Sequence, residues 1–128
     1  MDEAAAVSMI VMGAAIAGIW TRDIFAGDQV DLTGGIWAAR DPDAGTLFWP
    51  HWLAEYATAV ALITAAIGLL LDTGWGATLG GIATGALVYT SVNSLAWALS
   101  EPERRAYTIP MLAGVVVGLF LVAYFLAL

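Results

Sequence analysis

The sequence predicts an all-α integral membrane protein, a four-helix bundle in a single transmembrane domain over residues 1–128. The first observation is composition: 61% of the 128 residues are hydrophobic, and the mean hydropathy is +0.84. Charged residues make up 12%, about half the share usual in soluble domains, which is too few to cover a surface facing water. The second observation is four apolar runs of about twenty residues, which contain no charged residue except Glu55 in the second run. Each run is long enough to cross a hydrocarbon core as a helix.

The four spans are expected at residues 4–21, 52–71, 76–100 and 108–128. Asp2 and Glu3 precede the first, where a signal peptide would carry positive charge, so this span is expected to be retained. Asp72–Gly74 predicts a tight turn, and Glu101–Tyr107 predicts a solvated turn. Pro110 falls in the first turn of the last span, where proline is tolerated.

The connection between the first two spans is long, covering residues 22–51. A structureless loop of about thirty residues is unusual in a small protein, and its apolar stretch Gly35–Ala39 predicts a short interfacial or re-entrant helix. The sequence FWPHW, Phe48–Trp52, ends this loop with the chain's one histidine. Its tryptophans favour the headgroup level, and Pro50 is expected at the start of the second helix.

The basic residues are four arginines and no lysine, and all of them follow the first or third span. The side of the membrane that these two connections share is called the arginine side below. The positive-inside tendency predicts that it is cytoplasmic and that both termini lie outside. The lysine-free composition suggests the GC-rich genome of a prokaryote, hence its plasma membrane. The net charge of −7 argues against nucleic acid as a partner. The arginines are Arg22, Arg40, Arg104 and Arg105.

Polar residues gather in the half of the membrane next to the arginine side. Glu55 is an ionisable residue inside a span, which is costly and usually faces a bundle interior or water. His51 lies four residues before it, so both are expected on one helix face. On the third span Tyr89, Asn93 and Trp97 are also four residues apart, so they too are expected on one helix face. Three hydroxyl residues lie close by: Thr90, Ser91 and Ser94. The candidate residues for a ligand or ion vestibule are therefore Glu55, Asn93, Tyr89, His51, Trp97 and Arg22.

These residues leave several interpretations open. Glu55 reaches water or forms a structural pair with Arg22, Arg104 or His51; or it lines a vestibule for a cation, a proton or a polar headgroup; or it is a catalytic acid or base. His51 is an interfacial anchor or a ligand. A metal site of His51 and Glu55 alone would be underfilled, and the absence of cysteine excludes thiol chemistry. No cofactor is assigned.

Three functions follow from this pattern. The leading hypothesis is a small membrane protein whose polar, aromatic-lined vestibule binds or passes a small polar ligand or ion. The second is an accessory subunit of a larger membrane complex, with the first loop docking a partner. The third is a membrane enzyme acting on a lipid or quinone. Four spans enclose little volume, so a homo-oligomer or larger assembly is expected. Glycines four apart, such as Gly114 and Gly118, predict close helix packing in the bilayer.

Overall fold

A computed structural model describes residues 2–25, 42–100 and 102–128, and these residues form four long α-helices and one short 3-10 helix. This confirms the all-helical prediction for the described part of the chain, which contains no strand. All four long helices are long and apolar enough to cross a membrane. The expected helix at Gly35–Ala39 lies outside the described residues. The helices are α1 (Asp2–Phe25), α2 (Pro42–Leu70), α3 (Gly76–Ser100), the 3-10 helix (Pro102–Tyr107) and α4 (Thr108–Leu126).

Helix α2 begins ten residues before the predicted span, at Pro42 rather than near Trp52. The prediction that Pro50 starts this helix is therefore wrong, because Pro50 lies inside it. Pro42 occupies the first helical position, where the missing N–H of proline has no helical partner to lose. The apolar part of α2 still begins at His51, so residues 42–50 extend the helix beyond the span on the arginine side.

The tight turn between α2 and α3 and the position of Pro110 agree with the sequence. Between α2 and α3, Asp72 has a φ of 51°, a left-handed conformation that aspartate tolerates better than most residues. The Thr73 N–H donates to the Gly68 carbonyl over 2.9 Å and closes the predicted tight turn. Pro110 lies in the first turn of α4, as expected. The segment before α4, where a solvated turn is predicted, forms a 3-10 helix.

Helices that follow each other in sequence pack together, whereas α1 and α4 make few contacts. The main core combines long side chains with alanines, whose small size lets helix backbones approach closely in lipid. At the end of the bundle away from the arginine side, the Tyr124 hydroxyl donates to Asp2 Oδ1 and joins the last helix to the first. The buried core residues include Ala5, Ala6, Met9, Leu62, Ala65, Ala66, Ala83, Leu87 and Leu121.

Helices α3 and α4 approach closely at two glycines of α4. A Cβ atom added at Gly118 would lie 2.8 Å from Val88 Cγ2, and one at Gly114 would overlap the Ser91 hydroxyl. Neither position accepts a larger side chain without displacement of α3. The two glycines therefore serve the close packing that their spacing predicts.

Candidate functional site

The centre of the candidate site is a cluster of His51, Ser94 and Glu55. Ser94 Oγ donates to Glu55 Oε1 over 2.5 Å and lies 3.0 Å from His51 Nε2. A carboxylate only accepts hydrogen bonds, so with Glu55 ionised the single proton of the Ser94 hydroxyl points at it. In that state the bond between Ser94 and His51 is one in which Nε2–H donates to Oγ. The three residues form a row of hydrogen bonds from the imidazole to the carboxyl group.

Helix geometry explains how two distant segments supply this cluster. His51 and Glu55 are four apart on α2, and their Nε2 and Oε1 atoms are 3.5 Å apart, which confirms that they share a face. Glu55 lies about 6 Å further into the span than His51. Ser94 stands six residues before the end of α3, which runs antiparallel to α2, so it reaches a similar depth. The cluster therefore lies inside the membrane near its arginine side.

Further donors surround the carboxyl group of Glu55, which is 2% exposed. Thr90 of α3 and Trp20 of α1 also place polar side-chain atoms near it. The Trp20 ring meets the His51 ring edge to face, with centroids 5.0 Å apart. The Ser94 hydrogen bond and these nearby polar groups thus offset part of the loss of water around a group that is costly to bury.

A cavity of about 180 Å³ adjoins the cluster and receives side chains from all four helices. Most of its lining residues belong to α1 and α4, the pair of helices that make few contacts with each other. The cavity therefore lies at the seam between α1 and α4. Its polar lining residues are Glu55 and Ser91, and the others are Met12, Ala15, Ile16, Ile19, Leu87, Pro110, Met111, Ala113 and Gly114.

The structure does not bring all the predicted site residues together. Tyr89 is 68% exposed and Asn93 is exposed, so both lie on the outer face of α3, whereas Glu55 is buried. Trp97 is half-buried, and its ring centroid lies 5.7 Å from that of Trp20, beside the cluster. Arg22 is exposed in the last turn of α1. Of the six candidates, His51 and Glu55 are in the cluster itself.

The residues that α3 does contribute are hydroxyl residues on its buried face. Thr90, Ser91 and Ser94 are all buried. Thr90 and Ser94 directly follow the predicted site residues Tyr89 and Asn93, so they lie about 100° further around the helix. Their spacing of three and four was a usable signal, because such residues share one helix face. The lining of the cavity is mainly aliphatic rather than aromatic.

Comparison with known proteins places the chain in a family. A family model described as "Domain of unknown function (DUF8058)" matches residues 1–128. The chain belongs to this family. Neither a curated protein nor a solved structure matches it. The description of DUF8058 states no activity, so the function has to be argued from the chemistry of the site.

In this member of DUF8058, the cluster differs from the triad of a serine hydrolase. There, the serine bonds to one imidazole nitrogen and the acid to the other. Here, Ser94 and Glu55 both approach His51 Nε2, and Ser94 is fully buried. Within the described ranges, no group of three or more His, Cys, Asp or Glu residues could hold a metal ion. The arrangement is suited to holding or moving a proton and to binding a hydrogen-bond donor.

Proposed function

We propose that this protein binds a small lipophilic amine in the cavity between α1 and α4, with the ammonium group at Glu55. The observation that carries the proposal is a buried carboxyl group on the wall of a cavity whose other lining residues, except Ser91, are apolar. Binding pockets typically combine an apolar lining with a few polar groups that orient the ligand. The leading hypothesis from the sequence is a vestibule for a small polar ligand or ion, and the proposal specifies this ligand as an amine.

The size of the cavity favours a ligand with a single ring. Its volume is about 180 Å³. An apolar cavity of about 150 Å³ in another protein takes up benzene. One six-membered ring with a short polar substituent is therefore the size of group that this space accommodates. A longer alkyl tail would have to extend through the seam into the lipid.

The charge of the lining favours an amine. Glu55 is the ionisable residue among the lining residues, and no arginine or histidine lines the cavity beside it. A ligand with its own carboxylate would place two acids in a medium of low dielectric constant, which is strongly unfavourable. An ammonium group instead forms a charge-assisted hydrogen bond with the carboxylate, and such bonds contribute about 1.5–3 kcal/mol.

The bilayer offers the ligand a route to the cavity. Ala15 of α1 and Ala113 of α4 both line the cavity, and both are exposed on the outer surface of the bundle. In a membrane that outer surface faces lipid. A lipophilic molecule dissolved in the bilayer would therefore reach Glu55 between two small side chains.

The other half of the bundle favours binding over passage across the membrane. Apart from Thr84, whose hydroxyl bonds to its own helix, the buried core there consists of apolar side chains from all four helices, including Met9 and Leu62, both 0% exposed. A continuous polar path would require polar side chains along this core. The accessory-subunit hypothesis stays a prediction, because most of the first loop lies outside the described residues. The enzyme and oligomer hypotheses also stay predictions.

Binding of benzylamine to the protein in lipid nanodiscs tests the proposal, with tryptophan fluorescence as the signal, since Trp20 contacts the cluster. Saturable binding is expected, and toluene, which lacks the amine, should bind at least tenfold more weakly. Glu55→Gln should weaken benzylamine binding by about 10–100-fold, since it removes the charge from a bond worth about 1.5–3 kcal/mol.

A matched pair of variants tests the location. Ala15→Leu places a larger side chain in the cavity wall and should reduce binding. Ala14→Leu adds the same atoms at the neighbouring exposed position, which does not line the cavity, and should leave binding unchanged. Equal binding by the wild type, Glu55→Gln and Ala15→Leu would refute the proposal. So would a cavity that a lipid chain fills so firmly that benzylamine shows no saturable binding.

A further inference from the structure

We infer that Glu55 exchanges its proton with the arginine-side surface through Ser94 and His51, so that an amine bound in the cavity releases a proton at that surface. The inference rests on the proposed function and explains how Glu55 loses its proton when an amine binds. It depends on the continuous row of hydrogen bonds that links a residue at the edge of the span to one on the cavity wall.

The row has an inner and an outer end. The Glu55 side chain is 3% exposed, and Ser94 between the two is fully buried. The His51 side chain is 22% exposed and stands at the first residue of the span. His51 is therefore the member of the row that can reach water. The distances of 2.5 Å and 3.0 Å along the row are those of hydrogen bonds, along which a proton can transfer.

The proton moves in two coupled transfers. The neutral Glu55 carboxyl group gives its proton to Ser94 Oγ, while the Ser94 hydroxyl proton passes to Nε2 of a neutral His51 protonated at Nδ1. The imidazole, now a cation, releases its Nδ1 proton to water. One proton has left Glu55 for the solvent, Ser94 is again a hydroxyl group, and His51 is neutral with its proton on Nε2. The carboxylate that remains pairs with the ammonium group of the ligand.

With Glu55 as a carboxylate, Ser94 donates to it and Nε2 donates to Ser94, and this is the pattern that the transfer leaves behind. Before the transfer both bonds run the other way, from the carboxyl group to Ser94 and from Ser94 to Nε2. A hydroxyl, a carboxyl and an imidazole can each donate or accept, so the same three groups serve both states.

Among the described residues that surround Glu55, His51 is the titratable neighbour that can take its proton. Helix α1 presents the indole of Trp20, and α3 presents the hydroxyl groups of Thr90 and Ser94. The α4 residues that line the cavity carry no titratable group, and α3 contains no charged residue. On α1, Arg22 is exposed at the helix end, and the acidic residues of its first turn lie at the far end of the bundle.

Stopped-flow mixing of the protein in nanodiscs with saturating benzylamine tests this exchange. Tryptophan fluorescence follows binding, and a pH indicator in weakly buffered solution follows the released proton. For the wild type, about one proton per bound benzylamine should appear together with the fluorescence change. In Ser94→Ala the proton should lag the fluorescence change by at least tenfold. His51→Gln should show the same lag, because glutamine can hydrogen-bond but cannot carry the proton.

The control is Ser100→Ala, since Ser100 is exposed at the end of α3 and bonds to the Trp97 carbonyl of its own helix. It should behave as the wild type. Absence of a fluorescence change in the wild type would refute the proposed function and the inference with it. Binding without proton release in the wild type would overturn the inference alone. The inference would also be overturned if both Ser94→Ala and His51→Gln released the proton as promptly as the wild type. Prompt release in the wild type with a lag in both variants supports it.

Discussion

The bond between Ser94 and Glu55 should contribute measurably to stability, because Ser94→Ala removes a hydrogen bond from the buried carboxyl group of Glu55 and another from His51. The substitution removes one hydrogen bond of 2.5 Å to a carboxyl group and one of 3.0 Å to an imidazole. Hydrogen bonds to charged groups contribute about 1.5–3 kcal/mol, and neutral ones contribute about 1 kcal/mol. We therefore expect the free energy of unfolding to fall by about 2–4 kcal/mol.

A double-mutant cycle separates the bond itself from general damage to α3. Ser94→Ala, Glu55→Leu, which removes the acceptor at similar size, and the double variant would be unfolded reversibly by SDS in mixed micelles, with tryptophan fluorescence as the signal. Residues in direct contact give coupling energies of about 0.5–3 kcal/mol. For this charged, buried pair we expect a value of at least about 1 kcal/mol.

The control cycle pairs Glu55→Leu with Thr84→Val. Thr84 is also a buried hydroxyl residue of α3, but it donates to the Gly80 carbonyl of its own helix. It lies about 15 Å along the helix from Ser94, far enough for the two substitutions to be additive. A coupling energy near zero for Ser94 and Glu55, or one no larger than that of the control, would show that the bond does not form and would remove the basis of the proton row.

Two other measurements test the packing and the orientation. Gly118→Ala should lower the free energy of unfolding by about 1–3 kcal/mol, because the added Cβ would lie 2.8 Å from Val88 Cγ2. Gly85→Ala is the control and should not lower it, because a Cβ there meets nothing within 4 Å. Equal effects of the two substitutions would contradict the close contact at Gly118. The chain has no cysteine, so Ser100→Cys and Asp72→Cys can each be labelled alone in whole cells. An impermeant thiol reagent should react at residue 72 and not at residue 100, and the reverse result would contradict the predicted cytoplasmic arginine side.

Composition and run length predicted the helices well because the bilayer restricts the choices. A segment that crosses lipid must satisfy its own backbone hydrogen bonds, so a long uncharged run becomes a helix. This argument does not apply outside the hydrocarbon region, where water can satisfy the backbone, and the predicted start of α2 was wrong in that region. Helix α2 continues beyond its span to Pro42, through a stretch with turn-forming residues such as Asp43 and Gly45. Hydropathy cannot detect that part of a helix.

The structure places the predicted site residues at one depth along the helices but not on one face of α3. Depth follows from counting residues, so Glu55 and the polar part of α3 were expected at the same level. The direction in which a side chain points depends on which face of α3 meets α2, and polarity suggested Asn93 and Tyr89. In the structure, α3 instead turns Thr90, Ser91 and Ser94 inward and leaves Asn93 and Tyr89 exposed. Which face of α3 is buried depends on the helix that packs against it, and a single sequence does not show which helices pack together.

The cavity itself follows from unequal packing of small residues. Glycines of α4 meet α3 closely, at Gly114 and Gly118. On α1, the small side chain of Ala15 lines the cavity, as Ala113 does on α4, so these two residues leave space between their helices. Small residues thus close one helix pair and leave a gap between α1 and α4. Because that gap adjoins Glu55, the carboxyl group faces a space that a ligand can fill, and Ala15 is part of the proposed binding site rather than of the core.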